Sequence, residues 1–322
     1  MTWLIAAIML LGVLCLYERY LRQNNFTPSV EVSKDLWSWN RMHSQKSEKV
    51  IALLGASRMQ LGVDTVVMRE QLPGFKVVPL AINGEYPMAT FKALAEDEQF
   101  NGLVVMSFMA QMLEPQYEDM QLPYNQYFKE SHTLYLSLDA YLTAYLQSKW
   151  AFLHPLLGLK DWVDTWSEKH RFPQPFYVST HLDTSSSGDY SLVDVKQLKT
   201  FFVNEKRINY QQFPAMGKAV WKSQIKKINQ YAQAIVQRGG RVALVRFPTD
   251  DEHWLLDEQY YPRESYWDTL VQGVQDILFI HFDDYEGLNG FELPDSSHLD
   301  QKDAKTFTVN LIQILKNSQF FN

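Results

Sequence analysis

The 322-residue chain contains a single cysteine, Cys15, and this scarcity excludes two kinds of site. One cysteine permits neither an intrachain disulfide nor a metal site built from cysteine pairs. Basic charge is also limited, with 30 Lys and Arg against 37 Asp and Glu, so the composition argues against nucleic acid as a partner. We expect no cofactor and no metal, since the Asp283-Asp284 pair with His281 nearby lacks a wider ligand set.

Apolar residues run without interruption from Trp3 to Tyr17 at the N-terminus. Residues 1–22 are predicted to form a retained membrane anchor, because a tilted helix of this length can cross a thin bilayer. A cleaved signal peptide is the alternative, but no Ala-x-Ala-like site follows the run and no Lys or Arg precedes it. The positive-inside rule conflicts with an external body, because Arg19 and Arg22 follow the segment.

Strand and helix patterns alternate along the rest of the chain, which predicts a parallel sheet covered on both faces. The expected fold is a three-layer α/β/α sandwich with about five strands, an N-terminal transmembrane helix and a helical insertion. Residues 23–48 are predicted to be a tether, and residues 49–322 the body. Residues 111–214 break the alternation and are too long for a loop, so they are expected to form a helical cap beside the site. The strand candidates are Val50–Leu54, Lys76–Ile82, Leu103–Phe108, Arg241–Arg246 and Ile277–Phe282.

A serine follows the first predicted strand on a tight turn, Gly55-Ala56-Ser57, before an amphipathic stretch. This position predicts a hydroxyl at the carboxyl end of the sheet and a backbone N–H at a helix N-terminus, which favours negative charge. Near the other end of the chain, Asp295 and His298 precede the final predicted helix, with Ser296 and Ser297 between them as candidate caps.

The order of these motifs resembles that of the SGNH (GDSL-type) hydrolases. The resemblance implies that Ser57 is a nucleophile, that His298 is its base and that Asp295 orients the imidazole. It implies an oxyanion hole formed by the N–H groups of Ser57 and Gly84. The asparagine that usually follows the third strand is missing, and Asn83, Ser107 or Gln111 could replace it.

Two further sets of residues are open to more than one interpretation. Asp250 and His253 form a second Asp-x-x-His after a predicted strand, but Trp254 and the residues after it suggest a separate surface helix, so Asp295 and His298 are preferred. Arg58 and Arg246 could each bind an anionic group of the substrate, or pair with the acidic segment of the chain. The basic run from Lys196 to Lys227 predicts a solvated helix face or contact with anionic headgroups or glycan.

The anchor narrows the resemblance to bacterial SGNH-like proteins that work beside multi-span membrane O-acyltransferases in O-acylating cell-surface polymers. It implies a membrane-anchored serine esterase or O-acyltransferase that forms an acyl-Ser57 intermediate, with an acyl donor and a glycan or polymer acceptor as partners. The body is then extracytoplasmic, in the periplasm or at the cell surface. The alternative is a non-catalytic SGNH-like subunit that binds and positions the membrane O-acyltransferase.

Overall fold

A five-stranded parallel sheet forms the centre of the protein, seen in a computed structural model that describes residues 1–45, 49–170 and 172–321. The strand order is β2-β1-β3-β6-β7, so the chain reverses its direction of travel across the sheet beside β1. A short antiparallel hairpin, β4–β5, lies outside the sheet. The strands are β1 (Val50–Leu54), β2 (Lys76–Pro79), β3 (Leu103–Ser107), β4 (Val178–Thr180), β5 (Ser186–Gly188), β6 (Arg241–Arg246) and β7 (Leu278–His281).

Helices connect these strands and cover the sheet. In chain order they are α1 (Thr2–Gln23), α2 (Lys34–Met42), α3 (Ser57–Gly62), α4 (Thr65–Gln71), α5 (Met88–Glu96), α6 (Leu122–Glu130), α7 (Leu134–Gln147), α8 (Leu159–Lys169), α9 (Val195–Gln212), α10 (Lys218–Val236), α11 (Asp251–Tyr260), α12 (Trp267–Gly273) and α13 (Gln301–Asn317).

The sheet has a hydrophobic core on each face, because alternate side chains of a strand point to opposite sides. Ala52 and Val104 pack with α5, α10 and α12 on one face. Ile51 and Val105 pack with α3, α4 and α13 on the other. The three-layer α/β/α fold predicted from the alternation of strands and helices is therefore confirmed.

The segment expected to be a tether contains a helix that is part of the body. In α2, Trp37 is fully buried and its indole N–H donates to the carbonyl of Leu80 at 3.2 Å. Ser33 caps this helix by accepting from the N–H of Leu36. The overall composition of residues 23–48 is polar and gave no indication that α2 buries one apolar face. Residues 46–48 of that segment lie outside the described residues.

The segment 111–214 is largely helical, with the β4–β5 hairpin as an addition that periodicity did not predict. Its last helix, α9, packs on α11. Lys199 and Arg207 of α9 pair with Asp251 and Glu252 of α11. Two residues of the basic run therefore complement the acidic start of α11, and the exposed Lys196, Lys218, Lys222 and Lys226 form a solvated surface.

The N-terminal helix α1 has 22 residues and is long and apolar enough to cross a membrane. Most of its apolar side chains are exposed. Its last turns contact the body: Tyr17 donates a hydrogen bond to the carbonyl of Leu157 at 2.8 Å. Between Trp3 and Leu16, no side chain of α1 is buried against the body.

Candidate active site

The turn that carries Ser57 lies at the carboxyl end of β1, between β2 and β3, where the strand order reverses. Clefts in open α/β sheets form at such points. Gly55 allows the turn to approach β3 closely: a Cβ on it would lie 2.7 Å from Cβ of Met59 and 3.0 Å from Cβ of Ser107. Ser57 is the first residue of α3, so its backbone N–H has no intrahelical acceptor.

Hydrogen bonds connect Ser57, His298 and Asp295 in a chain. Ser57 Oγ lies 2.7 Å from Nε2 of His298. Nδ1 of the same imidazole lies 2.9 Å from Oδ2 of Asp295. The serine hydroxyl therefore faces a nitrogen that can accept its proton, and the carboxylate fixes the other nitrogen as the N–H donor.

The loop around Asp295 holds the carboxylate in its ionised form. Its Oδ1 accepts from the backbone N–H groups of Ser297 and His298 at 3.0 and 2.8 Å, and its Oδ2 also accepts from the Tyr190 hydroxyl at 2.8 Å. Burial alone would raise the pKa of Asp295, but His298, Tyr190 and the backbone donor together lower it. Tyr190 comes from the residues just after the hairpin, so the insertion completes this part of the site.

The chain is similar to a solved structure titled "Crystal Structure of TesA". The two are 13% identical, with a TM-score of 0.37, and the match covers 83% of this chain and 98% of the other. No family model matches the sequence. No curated protein matches it either.

The predicted oxyanion donors lie around Ser57. Asn83 and Gly84 form the tip of a turn in which the N–H of Glu85 donates to the carbonyl of Ile82 at 3.1 Å. Gly84 has a φ of +74°, a conformation that favours glycine. Gly84 lines one cavity beside Ser57 and Asn83 lines another.

The two other candidates for the missing asparagine occupy the same cavity as Gly84. Ser107 ends β3 and lines that cavity. Gln111 also lines it, with its side-chain amide donating to the side chain of Asn209. Asn209 is on α9, so the amide of Gln111 is oriented by the insertion.

Arg58 is buried beside the loop that carries the Asp–His pair. Its Nε and Nη2 donate to Ser297 Oγ at 3.2 and 3.0 Å, and Nη2 also donates to Nε2 of His253 at 3.1 Å. Burial lowers the pKa of Arg58, and Arg246 adds to that effect. Within the described part of the chain, no carboxylate forms an ion pair with Arg58. Ser297 accepts from Arg58 and Ser296 donates to the carbonyl of Asp295, so neither caps α13, which begins at Gln301 with Asp300 as its cap.

His253 is not on a separate surface, contrary to the prediction. The helix that it opens, α11, does exist, but His253 is buried and lines the cavity that also contains Ser57 and His298. Burial and the charges of Lys206 and Arg58 lower its pKa. Its nearest partner is Arg58, and the hydrogen bond to Ser57 is made by His298.

Arg246 forms the ion pair that was the alternative to substrate binding. Its Nη2 lies 2.7 Å from Oδ2 of Asp257, and both side chains are buried. Lys206 of α9 pairs with the other oxygen of the same carboxylate. Burial lowers the pKa of Lys206 to about 8, and Asp257 opposes this shift. Arg246 therefore belongs to a structural network behind the site. Within the described residues, no group of three or more His, Cys, Asp or Glu could hold a metal.

Two cavities meet at Ser57, His298 and Phe202. The larger, of about 440 Å³ and here named the main cleft, is also lined by Arg58, Gly84 and Lys206. The smaller, of about 170 Å³ and here named the side cavity, is also lined by Asn83, Leu61 and Ser186. Leu61 and Ser186 also line a third, outer cavity of about 860 Å³. Ser57 can thus be approached from two directions.

Several residues of the site could not be predicted from the sequence. Phe202 packs edge-to-face on His298, with ring centroids 5.7 Å apart, and Tyr190 binds Asp295, but both come from the insertion, whose sequence matched no known pattern. Lys206 lay in a basic run that looked like a solvated face. Its spacing from Val203 and Tyr210, which are buried on the same side of α9, is the one clue that would have indicated it.

Proposed function

We propose that the protein is a membrane-anchored serine esterase or O-acyltransferase of the SGNH type. The observation that carries this proposal is the contact of 2.7 Å between Ser57 Oγ and His298 Nε2, with Asp295 on the far nitrogen. A scaffold subunit would not need these three side chains aligned. The contact therefore favours the enzyme over a non-catalytic partner of a membrane O-acyltransferase.

The proposed reaction has two half-reactions. Ser57 Oγ attacks the acyl carbonyl carbon of the donor, and His298 takes the hydroxyl proton. The same proton passes to the leaving oxygen when the tetrahedral intermediate collapses, which leaves an acyl-Ser57 ester. A hydroxyl of the acceptor, or water, then gives its proton to His298 and attacks that ester. The bond between the acyl carbon and Ser57 Oγ breaks, His298 returns the proton to Oγ, and the acyl product leaves.

The N–H groups of Ser57 and Gly84 are the proposed donors to the oxyanion, with Asn83, Ser107 or Gln111 as a third. The N–H of Ser57 is suited to this role because it is free at the start of α3. The two approaches to Ser57, through the main cleft and through the side cavity, are what a transferase needs to bind a donor and an acceptor. We propose a glycan or cell-surface polymer as that acceptor.

A fluorophosphonate probe and p-nitrophenyl acetate hydrolysis test the proposal on the full chain in detergent. Ser57→Ala should abolish labelling, and His298→Ala and Asp295→Asn should lower the hydrolysis rate by at least about 100-fold. Ser296→Ala is the matched control: it is a serine of the same loop, and its hydroxyl only donates to the carbonyl of Asp295. Labelling of Ser57→Ala at the wild-type rate would show that Ser57 is not the nucleophile.

A further inference from the structure

Helix α7 exposes an apolar stripe where a soluble protein would place polar residues. The stripe lies within about 120° of arc around the helix, at 3.6 residues per turn. Its residues are Leu134, Tyr135, Leu138, Leu142, Tyr145 and Leu146, each at least 44% exposed. The opposite face of α7 is already used: Ser137 and Ala144 are buried there, and Ser137 donates to the carbonyl of Asp35. The stripe is therefore exposed in addition to, and not in place of, the face by which α7 packs on the body.

The surface continues beyond the end of α7. Trp150, Leu153 and Leu156 follow α7 and are exposed, as are Val163 and Trp166 on α8. Phe172 is also exposed and stacks on Trp166, with ring centroids 5.1 Å apart. We name the α7 stripe together with these six residues the apolar shelf.

The shelf ends at the base of α1. Glu18 accepts from the backbone N–H groups of Ala151 and Phe152, both at 3.1 Å. Arg22 donates to the carbonyl of Lys149 at 2.9 Å. Trp162 of α8 lies against Tyr17 and Tyr20. The segment between α7 and α8 is thus fastened to the point where α1 leaves the body.

We propose that the apolar shelf rests in the surface of the bilayer that α1 crosses, at the boundary between headgroups and acyl chains. Continuity with α1 places the shelf at the membrane surface, because α1 is apolar up to Tyr17 and fastened to the shelf from Tyr17 onward. Trp and Tyr side chains such as Trp150, Trp166 and Tyr145 favour this boundary. An amphipathic helix that lies in it buries its apolar face among the lipids.

Basic side chains at the edge of the shelf suit anionic phospholipid headgroups. Arg19 is exposed near the end of α1, and Lys149 follows α7 with its ammonium 5.3 Å from the ring centroid of Tyr145. Each such cation near an anionic surface adds to membrane attachment. A span and a shelf together would hold the body in one orientation, with the opening to Ser57 at a defined height above the bilayer. The inference depends on the proposed function only through membrane insertion of α1, and not through acyl transfer.

Depth-dependent quenching tests the proposal on the full chain in phosphatidylethanolamine–phosphatidylglycerol vesicles. Met9→Cys, in a Cys15→Ala background, places a fluorescent thiol label in the exposed middle of α1 and reports the span. In a Cys15→Ala background, Leu142→Cys and Tyr135→Cys each place one label on the shelf. Gln313→Cys, on the exposed side of α13, is the matched control. Doxyl-labelled lipids and aqueous iodide serve as the two quenchers.

Labels at residues 142 and 135 should be quenched several-fold more by doxyl lipid, and several-fold less by iodide, than the label at residue 313. Quenching of the shelf labels by iodide to the level of the control would overturn the proposal. Protection from both quenchers would also overturn it, because a protein partner or a second copy of the chain would then cover the shelf. If the label at residue 9 is itself open to iodide, the proposed anchor fails, and this outcome is distinct from failure of the shelf.

Discussion

At the scale of single residues, the candidate site is a chain of hydrogen bonds whose members are held in place by neighbouring side chains. Ser57, His298 and Asp295 form the chain, and Tyr190 supports its last member. Arg58 supports the loop through Ser297. Side chains that orient a catalytic group matter for rate because a displacement of about 1 Å can cost about 100-fold in turnover.

Substitution of Arg58 should separate a positioning role from a substrate-binding role. Arg58→Lys keeps the charge but loses the forked contact with Ser297 and His253. We expect kcat to fall about tenfold for uncharged and anionic esters alike if Arg58 positions the loop. A rise in KM confined to anionic esters would instead assign Arg58 to substrate binding. Ser297→Ala is the control, since it removes the acceptor and leaves the guanidinium.

The buried histidine His281 should make the protein less stable in mild acid. Burial, with Arg246 and Arg263, lowers its pKa to about 3. The unfolded chain, with a histidine pKa of about 6.5, then binds more protons than the folded protein below that pH. The free energy of unfolding should fall by about 2 kcal/mol per such histidine between pH 7 and 5.

Denaturant unfolding of His281→Phe at both pH values measures this contribution. The variant should lose about 2 kcal/mol less than the wild type on acidification. Trp254→Phe, which changes a ring that contacts His281 and adds no titrating group, should retain the wild-type loss. Parallel pH dependence in wild type and His281→Phe would contradict the prediction.

At the scale of elements, the insertion and the segment before the sheet both take part in the body. Helix α9 supplies Phe202 to the site and docks on α11 through ion pairs. Helix α2 covers the sheet beside β2 through Trp37. Helix α2 therefore belongs to the body, although the composition of residues 23–48 suggested a tether.

Truncation of Trp37 measures how much α2 contributes. Trp37→Ala removes a fully buried indole and leaves the carbonyl of Leu80 without its donor. We expect a loss of about 3–5 kcal/mol in the free energy of unfolding in detergent. Trp39→Ala, the same change at a half-buried position of the same helix, should cost clearly less. A free energy of unfolding equal to that of the wild type would mean that α2 is not part of the cooperative unit.

At the scale of the whole molecule, the proposed function implies a single membrane crossing with the body on the extracytoplasmic side. The charge pattern opposes this topology, because Arg19 and Arg22 follow the span. Arg22 pairs with Glu18 at 2.7 Å and donates to the carbonyl of Lys149, so one of these two charges is paired within the protein.

Protease accessibility in intact bacterial cells checks this topology. With the outer membrane permeabilised, external protease should digest the body while a cytoplasmic marker stays intact. The full chain should also remain in the membrane pellet after alkaline carbonate extraction, as a spanning helix requires. Leu10→Arg places a charge mid-span and should release a larger share of the chain. A body that becomes sensitive only after cell lysis would place it in the cytoplasm.

The features that could be predicted without a structure were those that depend on residues close together in the chain. Buried strands appear as short apolar runs, so the five strands of the sheet were found within a few residues, and β1 and β6 at their observed bounds. The turn Gly55-Ala56-Ser57 indicated a helix N-terminus after β1 because strand, turn and helix follow each other directly in the chain. The apolar run at the N-terminus predicted α1 in the same way.

Only the tertiary structure decided which distant groups meet. Ser57 and His298 are 241 positions apart, and nothing in a single sequence measures the distance between such residues. For the same reason, the sequence could not show that Asp257 would pair with Arg246, or that His253 would be buried against Arg58. These contacts arise because parallel strands bring the loops at their carboxyl ends to one edge of the sheet, whatever their separation along the chain.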